Sequence, residues 1–94
     1  MEPYNEEYRL QLFIAGMSPG SVKAIENTRG FCDKYLDGKY DLEVIDIYQQ
    51  RQMIKEMDVI AVPMLIRILP KPEKRIIGNM SDDRKLIEVL EIRT

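Results

Sequence analysis

The chain has 94 residues, of which 45% are hydrophobic and 32% charged, and its net charge is -2 at pH 7. This suits one small domain spanning 1–94, and it lacks the basic excess that nucleic-acid binding calls for. There is one cysteine, Cys32, and no histidine; that excludes an intrachain disulfide and removes the commonest general base and metal ligand. No apolar run approaches the roughly 20 residues that span a bilayer. The opening "MEPYNEEYR" is polar and acidic, unlike a signal or transit peptide. The expected location is the cytoplasm, with residues 1–7 a flexible N-terminus. No cofactor, nucleic acid or membrane partner is expected.

Tyr8, Leu10, Leu12 and Ile14 alternate with Arg9, Gln11 and Phe13, which predicts a strand with one well-buried face. Gly16 ends it. Ser18 is placed as an N-cap and Pro19 suits a first helical turn. The helix is expected to reach about Leu36, with Val22, Ile25, Cys32 and Leu36 on its inner stripe. Gly30 weakens it by roughly 1 kcal/mol relative to alanine. After a turn at Gly38, "YDLEVIDIY" (Tyr40 to Tyr48) reads as a second strand, apolar on both faces at Val44-Ile45. "QQRQMIKEM" predicts a short helix with Met53, Ile54 and Met57 inward. "MLIRIL" is a third strand and "KRII" a fourth, separated by "PKPE", where two prolines forbid a helix. Gly78-Asn79 closes the fourth strand. Ser81 is the expected cap of a last helix, with Asp82 and Asp83 near its positive end and Leu86, Ile87, Val89 and Leu90 on its buried side.

The order β-α-β-α-β-β-α is that of the thioredoxin-like α/β fold, a mixed four-stranded sheet packed between helices. Val62-Pro63 precedes the third strand, where such proteins place a cis-proline. The first strand-to-helix turn, where redox members carry Cys-x-x-Cys, reads Met17-Ser18-Pro19-Gly20. Without a thiolate there is no disulfide exchange. Cys32 lies on the helix, where a buried, inert thiol is expected. A phosphate cradle is disfavoured as well: Pro19 removes an N–H, and no Lys-Ser/Thr signature follows.

Four stretches carry a more specific resemblance: "LFIAGMSPGSVKAI", "YDLEVIDI", "IAVPMLIRILPKPEKRIIGNMSD" and "LIEVLEI". Over about residues 8 to 92 the chain resembles the KaiB family of cyanobacterial clock proteins and their bacterial and archaeal relatives. The resemblance implies a non-enzymatic protein that binds a KaiC-like hexameric P-loop ATPase at its N-terminal ring. In the circadian system such binding sequesters KaiA and alters signalling by histidine kinases. It also implies fold switching. One state is a tetramer of distinct fold and the other a thioredoxin-like monomer; they differ in the second half of the chain. Self-association as dimer or tetramer is therefore expected.

By the same resemblance Lys23 faces the ATPase, and Tyr40 and Glu43 stand on the partner-facing strand. Lys74 and Arg75 form a basic cluster with Lys71 and Arg67; such a cluster is equally a device for keeping a sheet edge unpaired. Pro63, Pro70 and Pro72 can change isomer, and Gly78 and Asn79 tolerate the positive φ of a hinge. These features permit a second arrangement without dictating one. Met53, Met57 and Met64 read as core fillers that also suit two packings. Three features depart from the cyanobacterial pattern: there is no acidic tail, Asn79 replaces a typical aspartate, and Asp41 and Glu43 stand where alanine and lysine are usual. Reversed charge on that strand changes the preferred partner surface. The fitting role is that of a non-cyanobacterial member with its own KaiC-like ATPase, acting in stress adaptation or a simpler timer. The alternatives are a thioredoxin-like sensor module related to the N-terminal domain of a clock-associated histidine kinase, an interaction domain with no ATPase partner, and a redox enzyme dependent on Cys32.

Overall fold

The computed structural model describes residues 7–92; of the expected N-terminal segment 1–7, all but Glu7 lie outside the described residues. Strand β1 (Tyr8–Ile14) leads to helix α1 (Pro19–Tyr35), then β2 (Tyr40–Asp46), α2 (Gln52–Glu56), β3 (Met64–Leu69), β4 (Lys74–Ile77) and α3 (Asp83–Leu90). The sheet order is β2-β1-β3-β4. β1 and β2 are parallel; β3 is antiparallel to both β1 and β4. The fold is thus the expected thioredoxin-like one.

On one face, Leu10, Leu12 and Ile14 of β1 pack with Leu65 and Ile76 against Ala24, Phe31 and Cys32 of α1 and Leu86 and Leu90 of α3. On the other, Phe13, Ile45, Met64 and Ile66 meet Met53 of α2 and, just after it, Met57, Val59 and Val62. Alternation predicts one buried face for β1. In fact Phe13 is also fully buried, because β1 is interior to the sheet and α2 covers its second side.

Helix α1 starts as expected: the Ser18 hydroxyl accepts from the Ser21 N–H at 3.3 Å and Pro19 opens the first turn. Its inner stripe is the expected one at Ile25, Cys32 and Leu36 but not at Val22. Ser21, Ala24, Thr28, Phe31 and Cys32 face the sheet, while Val22 is exposed. Small residues let the helix approach closely, and their polar atoms are satisfied locally. Ser21 Oγ donates to the Ala15 carbonyl (3.3 Å) and Thr28 Oγ1 to that of Ala24 (2.7 Å), so neither hydroxyl is buried without a partner.

Ile54 is likewise exposed, since α2 is one short turn that directs Met53, and Met57 at its C-cap, inward. The cap of α3 is Asp82 rather than Ser81: its Oδ1 accepts from the Lys85 N–H at 3.1 Å. The Ser81 N–H is itself held by Asn79 Oδ1 at 3.1 Å. β2 ends at Asp46, two residues before the expected end. Its carboxylate accepts from the N–H groups of Tyr48 (2.9 Å) and Gly16 (3.0 Å) and turns the chain there.

Arg67 departs furthest from expectation. It belongs to no surface cluster, being 3% exposed on the inner strand β3. Nη1 donates to the Leu90 carbonyl and Nη2 to that of Pro72, each at 2.6 Å. A cation is favoured at the negative end of α3, so the guanidinium ties that helix to the β3–β4 turn. Arg67→Ala leaves both carbonyls unpaired beside a cavity. It is expected to cost about 3 kcal/mol, read as a lower urea midpoint at unchanged m-value. A midpoint equal to that of the parent protein would show that the clamp adds no stability.

Candidate partner-binding surface

The turn between β1 and α1 is built by Gly16, whose φ of +65° favours glycine and whose open side is filled by the Tyr48 ring; an added Cβ would lie 3.4 Å from it. Next to it Ala15, Ser18, Gly20, Ser21, Val62 and Pro63 line a cleft of about 110 Å³, and the Val62-Pro63 bond is cis. Pro63 therefore faces the turn as the fold class leads one to expect. The two hydroxyls here are engaged with each other (3.2 Å) and with backbone groups, with no base beside them. Around the turn the surface is apolar. Met17 is 67% exposed and Tyr48 62%; Ile60, 78% exposed, lies apart in a cleft with Met64, Arg75 and Ile77. Val22 and Lys23 follow on the exposed side of α1.

The thiol lies elsewhere. Cys32 is fully buried on α1. Burial pushes its pKa up to about 12, helped by the negative charge of Asp33, so at neutral pH it carries neither the charge nor the access a nucleophile needs.

The remaining expected site residues are distributed over the sheet. Tyr40 opens β2, and its hydroxyl donates to Asp33 Oδ1 at 2.7 Å. That bond is the main reason its pKa rises to about 12. Glu43, exposed on β2, accepts from Gln11 Nε2 at 3.1 Å. On β4, Lys74 pairs with Glu91 at 3.4 Å. Arg75 pairs with Glu73 at 2.7 Å and donates to the Asp58 carbonyl at 3.0 Å. β2 and β4 are opposite edges, so these residues do not form one patch with Lys23. Pro70 and Pro72 bound the β3–β4 turn, both after cis bonds. Gly78, at φ +141°, donates its N–H to the Pro63 carbonyl at 3.0 Å. The Asn79 carbonyl accepts from Asn27 Nδ2 at 2.8 Å and so ties this turn to α1.

Met17, Tyr48 and Ile60 are not among the partner-binding residues expected from sequence; Met17 and Tyr48 enter there only as a turn residue and a strand end, and an apolar residue in a turn gives no signal of its exposure. Among the described residues no group of three or more His, Cys, Asp or Glu side chains could hold a metal ion, and no helix is long and apolar enough to cross a membrane.

Residues 11–92 match the family model of the KaiB domain. The chain belongs to the KaiB family. The circadian clock oscillator protein KaiB1 of Synechocystis sp. is 36% identical over 92 residues, covering 98% of this chain and 88% of that protein. KaiB of Prochlorococcus marinus is 39% identical over 85 residues, covering 90% and 81%. Among solved structures, the N-terminal domain of SasA from Synechococcus elongatus superposes with a TM-score of 0.76 at 20% identity, covering 97% of this chain and 90% of that one. Thioredoxin of Fasciola hepatica superposes with 0.68 at 17% identity, covering 95% and 85%. These likenesses agree with a KaiB member in the thioredoxin-like arrangement.

Cys32 and Tyr40 both have raised folded-state pKa values, from 9.0 and 10.0 respectively. Their contributions to stability are complete below those ordinary values and are lost as pH rises toward about 12. The urea midpoint is expected to fall above about pH 9, and less steeply in Cys32→Ala. At neutral pH, alkylation of Cys32 followed by mass spectrometry is expected to be at least about a hundredfold slower in the folded protein than in denaturant. Equal rates would contradict a buried thiol.

Proposed function

We propose that this KaiB-family protein is a non-enzymatic regulator in the cytoplasm that docks on a KaiC-like hexameric ATPase and modulates its cycle or output, in a clock, a timer or stress adaptation. The observation that carries this reading is the extent of the match: 98% of the chain aligns with a circadian clock oscillator KaiB. The geometry favours docking over turnover. The first turn offers Met17-Ser18-Pro19-Gly20 in place of a redox pair, and the hydroxyl groups there are tied to their neighbours. Met17 and Tyr48 present apolar surface at the turn, and Lys23 is exposed on the helix that follows it. Exposed apolar side chains suit contact with a protein partner.

The likeness to the SasA N-terminal domain favours a second reading, a thioredoxin-like sensor or interaction module that works with a histidine kinase. A binding assay with the KaiC-like ATPase of the same organism, in ATP, in ADP and without nucleotide, separates the two. Nucleotide-dependent binding is expected, weakened about tenfold, or ~1.4 kcal/mol, by Lys23→Glu, and further by Met17→Asp. No binding in any nucleotide state, with retention of a histidine kinase instead, would replace the first reading by the second.

The family's second fold is part of the same proposal, with Gly78 and Asn79 as its hinge and a dimer or tetramer as its assembly. Two slowly exchanging NMR peaks are expected for Gly78 and one for Gly16. One peak for each, with and without partner, would mean a chain locked in one fold.

A further inference from the structure

Among the described residues the methionines divide by exposure. Met64 and Met80 are buried, and Met53 and Met57 are half-buried. Met17 is open to solvent and belongs to neither core cluster. It stands on the β1–α1 turn, between Gly16, whose open side the Tyr48 ring fills, and Ser18, the cap of α1. Thiolates and thioethers are the side-chain groups that climb the oxidation ladder. Cys32 is withdrawn from that chemistry, being buried and protonated at neutral pH. The exposed sulfur of the described residues is therefore the thioether of Met17, on the turn where the ATPase is proposed to dock.

We propose that Met17 is a reversible oxidation site, converted by hydrogen peroxide to methionine sulfoxide, and that the conversion releases the ATPase from the turn. The release rests on the docking proposed for this surface; the oxidation does not. In the step, a lone pair of the Met17 sulfur attacks one peroxide oxygen. An S–O bond forms and the O–O bond breaks. The hydroxide set free takes the proton of the transferred oxygen and leaves as water. Sulfur loses two electrons and the peroxide gains them. A dithiol reverses the change through methionine sulfoxide reductases, giving back the thioether with a disulfide and water.

The position decides the effect. A sulfoxide replaces an apolar side chain by a strong dipole. Against a partner that dipole is buried without a matching donor, which opposes docking. The fold itself is untouched, because Met17 packs in neither core cluster. At Met64 or Met80 the added oxygen has no room in a close-packed interior, so these residues react only when the chain opens. Docking in turn covers Met17 and shields it from the oxidant.

The test treats the folded full chain with hydrogen peroxide, removes the excess with catalase, and follows each methionine by peptide mapping and mass spectrometry. Met17 is expected to gain oxygen at least about tenfold faster than Met64 and Met80, a difference that vanishes in urea. Binding to the KaiC-like ATPase is then expected to be about tenfold weaker than before oxidation. Methionine sulfoxide reductases for both epimers, with dithiothreitol, are expected to restore it, with circular dichroism unchanged throughout. Met17→Leu has no sulfur at this position, and its binding, at whatever level, is expected not to respond to peroxide. It retains Met1, so a loss caused by oxidation there persists in it. Met17→Gln, with a polar amide of similar length, is expected to bind as the oxidised chain does. Oxidation of Met17 no faster than that of Met64, equal binding before and after oxidation, or a loss that Met17→Leu shares would each overturn the proposal. An unoxidised chain that binds no ATPase would overturn docking, and the release with it, while the mapping still decides whether Met17 is the oxidised residue.

Discussion

Strand β1 is hydrogen-bonded on both sides and covered on both faces, and the other elements take their positions from it. β2 and β3 pair directly with it, α1 and α3 pack over Leu10, Leu12 and Ile14, and α2 packs over Phe13. Where β1 ends, the chain must leave the interior at once, and Gly16 supplies the left-handed step. The Asp46 carboxylate holds the N–H groups of both Gly16 and Tyr48. The turns leaving β1 and β2 are thereby fastened to one another. The surface around Met17 and Tyr48 is thus a product of how the central strand terminates.

That termination is where the fold family concentrates redox chemistry, and in this chain the same scaffold presents something else. The one thiol lies buried on α1, where low dielectric keeps it protonated. The hydroxyls at the turn are spent on capping α1 and on the Ala15 carbonyl. What is left for solvent is side-chain surface, chiefly the thioether of Met17 and the ring of Tyr48. Exposed apolar side chains of this kind are what protein partners contact.

The element order, the parallel first pair, the cis bond before β3 and the core of α3 were all legible, because each rests on a local signal: a period of two, a cap or a proline. The inner stripe of α1 was legible only in part: Cys32 and Leu36 are buried and Ile25 packs on the core as expected, but Val22 is exposed and Ser21, Ala24, Thr28 and Phe31 take the sheet-facing positions. The cap of α3 fell one residue later than expected, since Ser81 and Asp82 are both good caps and the turn at Asn79 decides between them. For the surface, sequence gave Lys23, Tyr40, Glu43, Lys74 and Arg75 but could not say that the last four divide between opposite edges. Strand order depends on pairings between residues distant in the chain. Arg67 was misplaced for the same reason: adjacent charges suggest a surface cluster, and only β3's interior position buries it.

Arg67 has a consequence for any rearrangement of the second half of the chain. A guanidinium remains charged at every pH a protein survives, and it carries five N–H donors. In the present arrangement its acceptors come from two segments, the end of α3 and the β3–β4 turn. If either segment departs alone, the guanidinium loses one of these two acceptors. A competing architecture must either furnish it with fresh acceptors or lift it into water. Far from being a passive fastening, Arg67 sets a condition that any other arrangement of these residues would have to meet.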